Sequence, residues 1–98
     1  SMSPTSAFAT AARVVGRREG LSPQAVRSPT GWQARRARRL AAYLTAVAYG
    51  RSMWSLAQEV GLDRKTLREA FAQIEDRRDD PDFDAHIAEL EMEVLNAA

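Results

Sequence analysis

Gly20, the Ser22-Pro23 pair, the run Ser28-Pro29-Thr30-Gly31, Gly50, Gly61 and the run Asp79-Asp80-Pro81 cut this chain into pieces of helix length. Between these breaks Ala, Leu, Arg and Glu dominate, residues that lose little freedom on entering a helix. Val, Ile and Thr are scattered and nowhere alternate with polar residues over the length of a strand. The spacing predicts an all-α, compact domain of five to six helices, over residues 5–19, 23–28, 32–49, 53–60, 64–78 and 82–96. Thr5 or Ser6, Ser22, Ser52 and Asp63 are the expected caps. Expected packing faces are Phe8, Ala12 and Val15 in the first helix. In the long third helix they are Leu40, Tyr43, Leu44 and Val47, and in the last Phe83, Ile87, Leu90 and Val94.

At 98 residues, this is one domain with room for a modest core. It has no cysteine and a single histidine, His86, among carboxylates, so no metal site is expected. The carboxylates of 76–84 lack the spacing and glycine of a calcium loop and read as a solvated face or a surface for a basic partner. No apolar run approaches a membrane span and no signal-peptide pattern opens the chain. A cytoplasmic protein without membrane contact is therefore expected. Ser1-Met2 reads as a serine left ahead of a native start. Net charge is only +1, yet its distribution is uneven. Arg13, Arg17, Arg18, Arg27, Arg35, Arg36, Arg38 and Arg39 crowd the first forty residues against Glu19 alone, and the final stretch is acidic. Such asymmetry is expected where one face meets phosphate.

The segment Ser52-Met-Trp-Ser-Leu-Ala-Gln-Glu-Val-Gly-Leu-Asp-Arg-Lys-Thr-Leu-Arg-Glu-Ala-Phe71 reads as a helix-turn-helix. Two short helices crossing steeply need a small residue at their approach, Ala57, and a turn residue tolerant of positive φ, Gly61. Leu56, Val60, Leu62, Leu67, Ala70 and Phe71 are the side chains such a pair must bury. Arg64, Lys65, Arg68 and Glu69 are left outward near the start of the second helix, where base edges and phosphates are met. Arg35, Arg36 and Arg38, on the preceding long helix, are either a solvated face or contacts to the phosphate backbone. Trp54 is either half-buried or packed on sugar-phosphate. Met53 reads as a packing residue, and Trp32, Tyr43, Tyr49 and Phe83 as core or core-edge residues.

Over residues 36–90 the chain resembles the C-terminal DNA-binding domain (domain IV) of the bacterial replication initiator DnaA, a Trp repressor-like fold. Arg36-Ala-Arg-Arg-Leu-Ala-Ala-Tyr-Leu44 is similar to the family's R-P-R-Q-x-A-x-x-L. Ser52-Met-Trp-Ser-Leu-Ala57 is similar to S-L-P-E-I-G, and Gly61-Leu-Asp-Arg-Lys-Thr-Leu67 to G-G-R-D-H-T-T-V. Asp63 and Thr66 are kept, whereas Arg64 and Lys65 stand where the family has histidine and threonine. The resemblance implies that Asp63, Arg64 and Lys65 contact bases. It implies that Ser52, Met53, Trp54, Thr66 and Arg68 lie along the DNA backbone with Arg35, Arg36 and Arg38. The family also inserts an arginine into the minor groove; an ungapped count places that position at Thr30, and Arg27 is the nearest arginine.

On this reading residues 1–30 are N-terminal helices with a basic loop, and 31–98 the DnaA-like core with its acidic last helix. The implied partner is double-stranded DNA, bound by a monomer, with the replication initiator or its regulatory proteins as further partners. The implied role is control of bacterial replication initiation. No GxxxxGK[ST] run is present, so no phosphate loop and no cofactor is expected. An enzyme is not expected, because no nucleophile, metal set or phosphate loop is assembled. Two alternatives are a dimeric helix-turn-helix transcriptional regulator and a protein adaptor acting on the initiator machinery.

Overall fold

The computed structural model describes the backbone of residues 4–97 and the side chains of residues 7–97. Ser1 and Met2 lie outside the described residues. The chain forms six helices: α1 Pro4–Glu19, α2 Pro23–Arg27, α3 Trp32–Tyr49, α4 Met53–Val60, α5 Arg64–Arg77 and α6 Pro81–Ala97. No strand occurs among the described residues. The ends fall at the predicted breaks for local reasons. Ser22 and Ser52 cap α2 and α4, each accepting a backbone N–H three residues on, from Ala25 at 3.1 Å and Ser55 at 3.2 Å. Asp80 Oδ1 accepts the Asp82 N–H at 3.0 Å, and Pro81 takes the first helical position, where it has no hydrogen bond to lose. One cap is corrected: α1 is already helical at Pro4, so Thr5 and Ser6 lie inside it.

α3 is the axis of the fold. It packs against every other helix, and Ala34, Ala37, Ala41, Ala42, Tyr43, Leu44 and Thr45 are all buried. The predicted stripe of Leu40, Tyr43, Leu44 and Val47 is therefore wrong in part: Leu40 is half-buried and Val47 is 38% exposed. A helix enclosed on several sides buries its small alanines all round, and side chains drop out of the core where neighbours end. α1 contributes Ala7, Phe8, Ala11, Ala12, Val14 and Val15 to the same core, so the first thirty residues do not stand apart. α6 adds Ile87, Leu90 and Val94, with Phe83 half-buried.

Gly16, in the middle of the last turns of α1, marks the tightest approach. A Cβ there would lie 2.5 Å from the Leu21 carbonyl oxygen and 3.4 Å from Val26 Cγ2. Leu21 also donates its N–H to the Gly16 carbonyl at 2.8 Å, so the chain doubles back directly over this residue. Helix propensity alone favours Gly16→Ala by about 1 kcal/mol. Overpacking against backbone costs about 1–3 kcal/mol and opposes it. We expect Gly16→Ala to lower the melting temperature; a rise in thermal unfolding measured by circular dichroism would contradict the packing of α1 on the 20–22 turn.

The charge asymmetry of the sequence is partly cancelled within the fold. Arg18 reaches Glu89 at 3.3 Å and Glu93 at 3.2 Å, tying α1 to the acidic α6, and both carboxylates raise its pKa. Arg36 lies 3.9 Å from Glu19. At the opposite end, the Tyr43 hydroxyl donates to Glu75 at 2.7 Å and accepts from Arg78 at 2.9 Å, while Arg78 also pairs with Asp84 at 2.5 Å. This chain of polar groups joins α3, α5 and α6. Arg78 is thus held as a structural cation.

Glu59, on α4, sits under the start of α1. Its Oε2 accepts the Phe8 N–H at 3.4 Å, and its Oε1 is buried without a hydrogen-bond partner. Burial pushes the carboxyl above its ordinary value, against the opposing effects of the Phe8 N–H and Arg51. A raised carboxyl pKa means that the folded state holds the proton more tightly than the unfolded chain. Stability therefore falls as pH rises from the ordinary glutamate range through the raised folded value. Glu59→Gln keeps an oxygen for the Phe8 N–H and removes the buried charge. It is expected to raise the melting temperature at pH 7 and to leave it unchanged at pH 4. Equal melting temperatures at both values would contradict this.

Candidate nucleic-acid interface

The α4–α5 pair is built by its turn. Gly61 adopts φ 82° and ψ 28°, a left-handed conformation that an L side chain rarely takes, and donates its N–H to the Ala57 carbonyl at 2.9 Å. Two residues later Asp63 caps α5, its Oδ1 accepting the Thr66 N–H at 2.7 Å. Leu56, Val60, Leu67 and Ala70 are buried, Leu62 and Phe71 half-buried. The Phe71 ring meets Tyr43 of α3 edge-on, centroids 5.4 Å apart, which fixes α5 against the axis helix.

This packing turns Arg64, Lys65, Arg68 and Glu69 outward; all four are exposed. None of the three cations has an ion pair among the described residues. Asp63 is also exposed, and its carboxyl lies below the usual range. The Thr66 N–H is the main cause, then the Thr66 hydroxyl, with Lys65 adding a smaller attraction. Asp63 and Thr66 thus hold one another at the head of α5, while Arg64 and Lys65 project beside them without an ion pair among the described residues.

Along one flank of α5 runs a groove of about 370 Å³. Thr66, Glu69 and Gln73 form its α5 wall; Trp32, Arg35, Arg36 and Arg39 form its α3 wall. The Arg36 guanidinium lies over the Trp32 ring, 5.1 Å from its centroid. Trp32 is corrected here: it is 71% exposed and belongs to this groove, not to the core. It is the first residue of α3, right after Gly31.

Of the three α3 arginines singled out from sequence, Arg35 and Arg36 reach the groove and Arg38 does not. Arg38 is turned about 100° from Arg39 around the helix and is half-buried. Burial lowers its pKa, and the neighbouring Arg39 adds to that. Arg39, which composition alone did not separate from its neighbours, lines the groove where Arg38 does not. The signal was present in the spacing of 32, 35, 36 and 39, which is one helical stripe.

The remaining candidates are more scattered. Ser52 is engaged as the α4 cap, Met53 packs against the core, and Trp54 beside them is 60% exposed. Tyr49 and Phe83 are half-buried and packed against the core, and Tyr43 is inside it. Arg27 is exposed at the end of α2, whose packing is on α1 and α3. His86 is exposed on α6. No group of residues that could hold a metal ion occurs among the described residues. No helix is long and apolar enough to cross a membrane among them. No family model matches this chain, and neither a curated protein nor a solved structure matches it.

Proposed function

We infer that this chain binds double-stranded DNA, with α4, the Gly61 turn and α5 acting as a helix-turn-helix. The observation that carries the reading is the exposed, ion-pair-free set Arg64, Lys65 and Arg68 at the head of α5, flanked by Arg35, Arg36 and Arg39. In this reading α5 enters the major groove, and Arg64 and Lys65 reach base edges, with guanine the natural match for arginine. Asp63 contacts bases beside them while capping the helix through Thr66, which lies along the DNA backbone. Arg68 and the α3 arginines sit toward the phosphates and supply affinity without sequence choice. Ser52, Met53 and Trp54, at the head of α4, lie along the DNA backbone.

The resemblance of residues 36–90 to the DNA-binding domain of the DnaA initiator supports the narrower reading. That reading is a monomeric, initiator-like domain that regulates bacterial replication. Affinity measured by fluorescence anisotropy against a random duplex pool should fall linearly in log–log form with salt, with a slope of about −3 to −5 for this set of phosphate contacts. Absence of salt-dependent binding to any duplex would remove the reading. Sites recovered from the bound pool then separate the narrower forms: one asymmetric site supports the initiator-like monomer, and two half-sites about one helical turn apart support a dimeric transcriptional regulator.

A further inference from the structure

A second cleft, of about 290 Å³, opens beyond the groove toward the far end of α5, between α3, α5 and α6. Arg36 and Arg39 of α3 and Arg77 of α5 line it, together with Glu19 from the end of α1. Its apolar wall is made by Leu40, Ile74 and Phe83, one from each of three helices and all half-buried.

The charges in this cleft do not balance. Glu19 stands 3.9 Å from Arg36 and offsets one guanidinium. Neither Arg39 nor Arg77 has a carboxylate within ion-pair distance among the described residues. Arg39 is partly buried in that state, and Arg77 rests its guanidinium over the Phe83 ring, 3.9 Å from the centroid. Two positive charges are left beside an apolar wall. A phosphate monoester carries about −1.5 to −2 charges near neutral pH and three acceptor oxygens, which matches that surplus. The volume lies at the lower edge of the usual range for small-molecule sites, about 300–1,000 Å³, so the occupant is small. The apolar wall asks for more than a bare ion.

We propose that this cleft binds a small phosphate monoester carrying an apolar ring, at a site distinct from the outer face of α5. The phosphate sits with Arg39 and Arg77, and the ring lies on Leu40 and Ile74, against the part of Phe83 that Arg77 leaves uncovered. The site stands on its own charges and does not depend on the DNA-binding reading. It does border it, because Arg36 and Arg39 line both the cleft and the groove.

The probe is phenyl phosphate, titrated calorimetrically into the full chain at constant ionic strength, with inorganic phosphate and phenol alongside. Saturable one-to-one binding in the millimolar range is expected for a ligand of this size. Inorganic phosphate should bind about tenfold more weakly, and phenol should give no saturable signal. Arg39→Ala and Arg77→Ala should each weaken phenyl phosphate by about tenfold or more. Arg77 is exposed, so its variant keeps the fold if truncation of the partly buried Arg39 disturbs it.

A variant lacking both Arg64 and Lys65 side-chain charges should bind phenyl phosphate as the wild type does, whatever becomes of duplex binding. No saturable binding of phenyl phosphate, or binding indifferent to Arg77→Ala, would overturn the proposal. Equal affinity for phosphate and phenyl phosphate would overturn the part assigned to the apolar wall.

Discussion

Replacing Arg64 and Lys65 together with glutamate is expected to lower duplex affinity by more than about a hundredfold while leaving the fold intact. Each base-edge contact by such a side chain contributes about 1–3 kcal/mol. Reversing the charges also sets two carboxylates against the phosphates. The fold should be indifferent for three reasons. Both residues are exposed, neither has an ion pair among the described residues, and both lie in the first turn of α5. Acidic side chains there complement the positive end of the helix, so the melting temperature should hold or rise slightly. Binding and stability thus move in different directions, which a variant that merely unfolds cannot imitate. Anisotropy titrations and thermal unfolding of the same preparation give both quantities. Duplex affinity within threefold of the wild type would remove α5 from the interface.

A single charge reversal on α3 separates specificity from affinity in the same assay. Arg39→Glu should weaken all duplexes alike and flatten the salt dependence, whereas the α5 reversal should also relax the choice among sequences. That difference follows from position: Arg39 lines the groove beside α5, and Arg64 and Lys65 project from the helix itself.

The helices were legible because their ends are written locally. Gly61 needs positive φ, Asp63 supplies a carboxylate to Thr66, and Ser22 with Pro23 marks the start of a short helix. The outward set at the head of α5 was legible for the same reason, since the positions of Leu67 and Ala70 fix which side is buried. What escaped depends on packing between distant segments. Gly16 has no local signal as a close approach; only the return of Leu21 and Val26 over α1 makes it one. The basic front and acidic tail point to one face that meets phosphate, yet Arg18 of that front folds back onto Glu89 and Glu93. Trp32 reads as a core or core-edge residue, and its place at the start of α3 leaves it in the groove. Arg38 and Arg39 show the limit most clearly, because one residue around a helix is about 100° and both are half-buried, so only the packing of α5 beside α3 separates the one that lines the groove.

Leu67→Ala should be the most damaging single truncation on α5, and it connects the fold to the interface. Leu67 has no exposed surface and is the first buried position after the Asp63 cap, where α5 leaves the turn and meets α3 and α4. Removing three heavy atoms from such a site costs about 2–5 kcal/mol, the transfer free energy plus the cavity left behind. At about 4–8 °C per kcal/mol for a domain of this size, the melting temperature should fall by roughly 8–40 °C. Leu67→Met keeps the volume and should cost less than about 1.5 kcal/mol. Below its lowered transition the alanine variant still has Gly61, the Asp63 cap and the Tyr43–Phe71 contact to place α5. Duplex affinity there should remain within about tenfold of wild type, the opposite balance from the Arg64 and Lys65 reversal. A melting temperature within a few degrees of wild type would show that α5 is not anchored through Leu67, and the outward direction assigned to Arg64 and Lys65 would lose its structural basis.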